Sequence, residues 1–554
     1  MRLAARKWTA ARKCTAARKS TAAGMGRVRA VPALSALALL SAFAPGPTSA
    51  AEGRPPPGAT SCTGCHAAGA AMQPIAGRPE AEIAAALADY RSGAPGDGDD
   101  PHRHGLHGRR EPGHRGLFRA YRTRAMSRPG EETRRSLLRK SAAASAGLAF
   151  AHAHLARPAL AGAAPRVVVI GGGFGGATAA RALRQGGIDV TLVEASGTYV
   201  ACPFSNEVIV GLQPLAAQSF GYGNLARTGL TLVQAMATGV DPSGRRVTLS
   251  DGTTLPYDRL VLSPGIDLRF DALPGYGAEA VTTMPHAWKA GEQTALLARQ
   301  LAAMPEGGTV VLCVPANPYR CPPGPYERAS LIAHFLKTRK PRAKLILLDA
   351  KDTFSKQRLF QSAWAALYSD VLEYVPLASG GQVTAVEPAA MTVRTDFAEY
   401  KADVACIIPP QRAGRIAALA GAADRSGWCP IDPVTFESKL VPGVHVIGDA
   451  AIAGAMPKSA FSANAQAKVC AQAVIDLLAG RAPEEPKLIN TCYSLVAPGY
   501  GISIAGVFHP VNGLLADVEG AGGISPVDAP ASVRAQEAAY AADWYRTITG
   551  EVFG

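Results

Sequence analysis

The chain has 554 residues, 48% of them hydrophobic and 18% charged, and carries a formal net charge of +14. That profile excludes a disordered, collagen-like or mostly membrane-spanning polypeptide and suggests roughly three to four domains at about 150 residues each. The basic excess sits in residues 1–165, with 25 Lys and Arg against 10 Asp and Glu, whereas residues 166–554 hold 32 against 33, so nucleic acid is excluded as a partner.

The front end reads as leader sequence. Residues 1–24 repeat AARKWT, AARKCT and AARKST, which reads as sequence upstream of a misplaced start. From Met25 a basic MGRVR, the apolar run VPALSALALLSAFAP and a small-residue exit PTSA describe an export signal, so 1–50 is assigned as an export signal region. The run is too short to cross a membrane. Cys62-Thr-Gly-Cys65-His66 follows, the spacing at which two thiols attach haem c and the adjacent His66 becomes an axial ligand to the iron. Neither a second ligand pair, as in a zinc knuckle, nor a thioredoxin-like strand–turn–helix flanks it. Residues 51–95 are therefore expected to be a truncated cytochrome c-like segment, a small α-helical fragment. Met72 is an alternative axial ligand, but it lies too near His66 in sequence to reach the opposite face.

Residues 96–125 carry four of the eleven His and no apolar periodicity. A flexible linker and a metal-binding tract both fit this composition. A third reading is a frameshift, because a one-base shift from Pro95 reads PATVMTRIATGFTDAE, an ordinary amphipathic cytochrome sequence. Residues 126–164 begin again at Met126, with Arg134-Arg135, Leu137-Leu138 and Lys140 ahead of an Ala-rich run. That is a twin-arginine-like leader, with a linker helix as the alternative. Two export signals in one chain imply two neighbouring exported proteins run together, and periplasmic localisation is the expectation.

From Pro165 the pattern becomes that of an α/β domain. RVVVIGGGFGGATAARALRQGGIDVTLVEAS predicts a strand, a Gly-rich turn, a helix and a second strand ending in Glu194. Gly171, Gly173 and Gly176 form G-x-G-x-x-G: a tight turn, a close approach for a pyrophosphate, and room for helix to pack on strand. Glu194, 18 residues past Gly176, is placed to accept from ribose hydroxyls. Two later pieces return to the same cofactor: YDRLVLSPG at 257–265, and VHVIGDAA at 444–451, whose Gly448-Asp449 reaches the ribityl or pyrophosphate region. This two-piece assembly points to FAD. In the middle domain the strand TVVLCV is followed by Pro-Ala-Asn-Pro instead of a Gly-rich turn, and proline lacks the N–H groups that hold a pyrophosphate. No pyridine nucleotide is expected to bind there.

The strings CPFSNEVI, PHAWKAGEQT, RCPPGPYERAS, FSKQ, IPPQRAG, GWCPID, FESK, VIGDA, MPKSAFSAN, NTCYS and the ending VFG run in order through 202–554. Together they closely resemble the flavoprotein subunit of flavocytochrome c sulfide dehydrogenase, and residues 51–95 resemble the start of that enzyme's cytochrome subunit. The resemblance implies sulfide as substrate and a c-type cytochrome subunit as partner. It also implies a flavin held by a thioether at Cys202, although Pro203 departs from the expected neighbour, and a redox-active disulfide between Cys321 and Cys492. Cys429 reads as a third, structural or accessory thiol, and Cys313, Cys406 and Cys470 as small buried hydrophobes. Lys458 either places positive charge near the flavin or is a solvated lysine. Glu327 and Arg328 either handle a proton or pair with each other, the pair being the favoured expectation, and Trp288 is expected to be core.

Chemistry agrees with the resemblance. Hydrosulfide is a soft nucleophile, a disulfide is the electrophile suited to it, and a flavin converts the resulting two-electron transfer into one-electron steps for a haem. Two other readings stand beside it. Oxidation of sulfide by a membrane quinone needs an apolar seating segment, and the tail from Pro526 offers only a brief apolar face. A non-catalytic electron-transfer or docking module would not need both Cys321 and Cys492. The expected fold is α/β: two doubly wound (Rossmann-like) reductase-type domains, the first split over 165–285 and 416–487 around a second at 286–415, with a C-terminal α+β segment at 488–554. No transmembrane segment is expected.

Overall fold

The computed structural model describes residues 164–554. The export-signal, cytochrome-like, linker and twin-arginine readings, with Cys62, Cys65, His66 and Met72, lie outside the described residues.

Arg166–Ile170 is a run of β-branched residues buried from its second position onward, as suits a strand covered on both faces. It pairs in parallel with Asp189–Val193 on one side and Arg259–Leu262 on the other. Thr231–Val233 and Val444–Val446 extend the sheet to five parallel strands. The last of these arrives from about 180 residues away, so this domain is built from two separated pieces of chain. The helix Phe174–Gln185 leaves the first strand through the Gly-rich turn and packs beside the helix Ala460–Leu478.

A second parallel sheet of four strands is formed by Leu372–Val375, Lys344–Asp349, Thr309–Val314 and Val404–Ile407. Its first helix, Gly324–Arg339, starts only after the loop 315–323, where a nucleotide-binding fold would begin it directly after the strand. These two sheets are the expected doubly wound domains.

The C-terminal segment is an antiparallel sheet. Leu488–Ala497 and Tyr500–Val511 are joined by a Pro498-Gly499 turn, and Leu514–Asp517 adds a third strand. Helix Ala531–Phe553 lies against the strand Tyr500–Val511. Its last residues return to the first domain. Phe553 meets the rings of Phe174, Tyr199, Phe220 and Tyr222, and Arg181 donates to the Gly554 carbonyl at 3.0 Å. That contact gives the terminal VFG string a structural role.

Candidate active site

A cavity of about 380 Å³ runs from the Gly-rich turn to the C-terminal sheet. Its walls come from all three parts of the fold: Gly171–Gly175 and Glu194, then Cys202 and Asp449, then Cys321 and Glu327, and finally Thr491–Leu495.

The turn end is shaped by missing side chains. Gly171 has φ +98°, and a Cβ there would sit 2.3 Å from the Ser263 carbonyl oxygen. A Cβ on Gly176 would lie 1.8 Å from the Gly171 carbonyl oxygen, so the helix approaches the turn as closely as backbone allows. Gly173 caps the helix, whose first N–H groups and dipole favour an anion. Glu194 stands at the end of the second strand, where its carboxylate accepts from the Gly172 and Ser196 amides at 2.6 and 2.9 Å. Gly448 and Asp449 enter from the returning strand. Gly448 donates to Gln466 at 2.8 Å, and Asp449 lies 3.8 Å from the Arg320 guanidinium. Burial raises the Asp449 carboxyl, while Arg320 and Lys458 pull it back.

Farther along, Cys202 is half-buried with its Sγ 3.8 Å from the Trp288 carbonyl. Trp288 is buried as expected, yet it also lines the cavity, and its Nε1 has no hydrogen-bond partner. Thr491 Oγ1, another buried polar atom among the lining residues, likewise has none. A cradle of glycines at a helix N-terminus, an acid at the ribose position and orphaned polar atoms along the wall together fit a bound dinucleotide with a polar ring system. FAD fits this site.

Cys321 and Cys492 both line this cavity as half-buried free thiols. Cys321 lies late in the loop that replaces the nucleotide turn of the second domain, in the left-handed region at φ 57°. Cys492 comes from the C-terminal sheet, opposite Ile504 in register. Burial raises both thiols. Glu327 and Cys492 raise Cys321 further, whereas Lys356 and a hydrogen bond from Asn490 draw Cys492 down.

Glu327 and Arg328 do not pair with each other as expected. Successive helix positions point them apart. Glu327 accepts from the Leu495 amide at 2.9 Å and from Asn206 at 3.3 Å. Arg328, 2% exposed, donates to Asn206 Oδ1 and to the carbonyls of His286 and Ala287, and it lies over the Trp288 ring. Lys458 is not a solvated lysine. Its Nζ donates to the carbonyls of Asp449 and Ala451 at 2.8 and 2.6 Å and stands 4.1 Å from the Trp428 ring centre, outside the cavity lining. Loss of hydration lowers its pKa to about 8, with Asp449 and Cys429 opposing. Cys313, Cys406, Cys429 and Cys470 are buried, the first, second and fourth as expected.

Sequence reasoning missed Arg320, Asn206, Asn490 and Lys356. Arg320 and Lys356 sat inside the quoted strings RCPPGPYERAS and FSKQ, but no local pattern announces a buried cation.

In the second domain, Asp349 ends the strand Lys344–Asp349, the position from which a nucleotide-binding domain would offer an acid to a ribose. Here Lys351 Nζ lies 2.5 Å from its Oδ1, and Tyr326 donates to its Oδ2 at 2.7 Å, so the carboxylate is fully buried and occupied.

Residues 294–409 match the family of the sulfide dehydrogenase [flavocytochrome c] flavoprotein chain, central domain, and residues 484–553 its flavin-binding domain. Residues 165–303 match the pyridine nucleotide-disulphide oxidoreductase family. The sulfide dehydrogenase [flavocytochrome c] flavoprotein chain of Chlorobaculum thiosulfatiphilum is 60% identical over 45 residues, 8% of this chain and 94% of that sequence. The chain belongs to the flavocytochrome c sulfide dehydrogenase flavoprotein family.

Other relatives are more distant. A type II NADH:quinone oxidoreductase of Mycobacterium tuberculosis is 31% identical over 120 residues, 20% of this chain and only 24% of that protein. Such curated relatives are thus matched over about a quarter of their length. The sulfide:quinone oxidoreductase structure from Aquifex aeolicus superposes with a TM-score of 0.55 at 17% identity, covering 70% of this chain and 92% of that one. That likeness confirms the reductase-type α/β fold of the flavoprotein.

Proposed function

We propose that the protein oxidises sulfide to sulfur or polysulfide through a Cys321–Cys492 disulfide and FAD, and passes the electrons to a c-type cytochrome subunit in the periplasm. The observation that carries this reading is that two cysteines 171 positions apart in the sequence line one cavity with the Gly-rich turn and Asp449. Gly171–Gly176, Glu194, Gly448 and Asp449 would hold the FAD, and Cys202 would supply the thioether. Once bound, the flavin supplies a two-electron acceptor that discharges one electron at a time.

The chain's own part is thiol–disulfide exchange. Hydrosulfide bonds to one sulfur of the pair, the disulfide bond breaks, and the partner leaves as a thiolate. A second hydrosulfide then displaces the persulfide's outer sulfur as hydrodisulfide, leaving both cysteines reduced and able to give up two electrons in reforming their bond. Glu327, with a carboxyl raised by burial, stands among the lining residues as an acceptor or donor for the protons involved.

One feature favours a cytochrome over a membrane quinone as acceptor. The C-terminal helix turns Ala541, Trp544, Tyr545, Ile548, Val552 and Phe553 inward, leaving no broad apolar face to seat in a bilayer. Among the described residues, no helix is long and apolar enough to cross a membrane. The sealed Asp349 supports the absence of a pyridine nucleotide. The C-x-x-C-H at Cys62–His66 and the twin-arginine pattern at Arg134-Arg135 are the sequence support for a haem c and for export. The test is acceptor specificity: sulfide-dependent reduction of a soluble c-type cytochrome is expected, and a strict requirement for a ubiquinone analogue would overturn the assignment.

A further inference from the structure

A buried cation stands next to the thiol pair. Lys356 precedes the helix Gln357–Leu367 with φ 62° and is 4% exposed. Its Nζ donates to the Cys492 carbonyl at 2.9 Å, to Ser494 Oγ at 2.8 Å and to the Ile502 carbonyl at 3.4 Å. All three acceptors are neutral, and among the described residues no carboxylate forms an ion pair with it. An ammonium withdrawn from water is strongly disfavoured unless an anion stands close.

Four groups around Lys356 can carry negative charge: Cys492, Glu327, Cys321 and Glu537. Glu537 already pairs with Arg534 at 3.2 Å and accepts from Ser503 Oγ at 2.8 Å. Glu327 has its oxygens taken by the Leu495 amide and Asn206. Cys321 faces Glu327, which opposes a thiolate there more than either Arg320 or Lys356 favours one, whereas at Cys492 Lys356 and Asn490 outweigh the same Glu327. Cys492 is different. Asn490 Nδ2 donates to its Sγ at 3.2 Å, and Asn490 is fixed in that orientation because its Oδ1 accepts from Ser459 and Ser462 at 2.6 and 3.1 Å.

We propose that Lys356 and Asn490 are positioning residues that hold Cys492 as the thiolate of the pair. When hydrosulfide opens the disulfide, its sulfur bonds to Cys321 as a persulfide, the Cys321–Cys492 bond breaks, and the bond pair leaves on Cys492. The sulfide sulfur is thereby oxidised and Cys492 reduced, with charge conserved. This step rests on the sulfide-oxidation reading for its chemistry. The asymmetry of the two thiols does not.

The experiment is pulse alkylation of the chemically reduced flavoprotein with iodoacetamide across pH 5 to 10, scored at Cys492 and Cys321 by peptide mass spectrometry. Cys492 is expected to react with the lower midpoint. Lys356→Met should raise that midpoint by at least about one unit, a roughly tenfold slower reaction at neutral pH. Cys321 should move less, and Lys356→Arg should restore most of the loss. Asn490→Ala shifts Cys492 in the same direction with Lys356 in place, and carries the test if the Lys356→Met chain does not fold. A Cys492 midpoint at or above that of Cys321, or one unmoved in both variants, overturns the proposal. Alkylation needs neither sulfide nor acceptor, so this result stands or falls separately from sulfide-dependent flavin reduction.

Discussion

The amide of Cys321 donates to the carbonyl of Lys458 at 2.8 Å, tying the thiol-bearing loop of the second domain to the chain that follows Asp449 in the first. The Lys458 ammonium in turn clamps the carbonyls of Asp449 and Ala451. The thiol loop and the returning flavin-domain loop are therefore held in register by backbone contacts. A sulfur chemistry that must address a ring system in the adjoining domain needs that kind of fixed spacing.

Removing Cys202, the proposed attachment thiol, separates cofactor binding from covalent linkage. With Cys202→Ser, flavin is expected to remain bound in native protein but to be released on acid precipitation, while the wild-type flavin stays with the pellet. Absorbance of the supernatant checks this.

The Gly-rich turn makes a steric prediction. Gly176→Ala places a methyl group 1.8 Å from the Gly171 carbonyl oxygen, so helix and strand must separate. Overpacking of this kind costs about 1–3 kcal/mol, which if taken wholly from binding is roughly five- to 150-fold in flavin affinity. The flavin-to-protein absorbance ratio of purified protein should fall accordingly.

Lys351 should matter for stability and not for nucleotide chemistry. Lys351→Met leaves the buried Asp349 carboxylate without its cation and is expected to destabilise the fold by about 3–5 kcal/mol, read by denaturant unfolding. NADH should leave the flavin oxidised in both proteins.

Glu207 gives a pH dependence with a defined sign. Burial, helped by the nearby Glu327, raises its pKa from 4.5 to about 7. Between those values the native state binds the extra proton, so stability falls as pH rises from about 4.5 to about 7 and the loss is complete above that. Glu207→Gln should flatten this slope and gain about 1–2 kcal/mol at pH 8, less than the full shift because the side chain is only partly buried. Thermal melts at pH 5 and pH 8 check it.

Much of this architecture was legible in the sequence because local rules specify it. The strand Arg166–Ile170, the turn at Gly171–Gly176 and the acid Glu194 follow from hydrophobic run length, missing Cβ atoms and spacing. The absent nucleotide turn after Val314 followed from proline chemistry. The thiol pair was legible only through resemblance, since nothing local links Cys321 to Cys492. Lys356 and Arg320 were not legible as site residues, because a cation's burial depends on acceptors from strands far away in the chain. Glu327 and Arg328 misled because adjacency in sequence is divergence on a helix: the two meet only through the Asn206 amide between them, and otherwise Glu327 bonds the Leu495 amide and Arg328 the carbonyls of His286 and Ala287.

On the proposed function, Cys321 and Cys492 together receive electrons from sulfide and deliver them to the flavin. Anaerobic titration with sulfide, followed by bleaching of the flavin absorbance, tests it most directly. Stoichiometric bleaching is expected in the wild-type protein and none in Cys321→Ser or Cys492→Ser, with flavin still bound in both. Bleaching at the wild-type rate in either variant would contradict it.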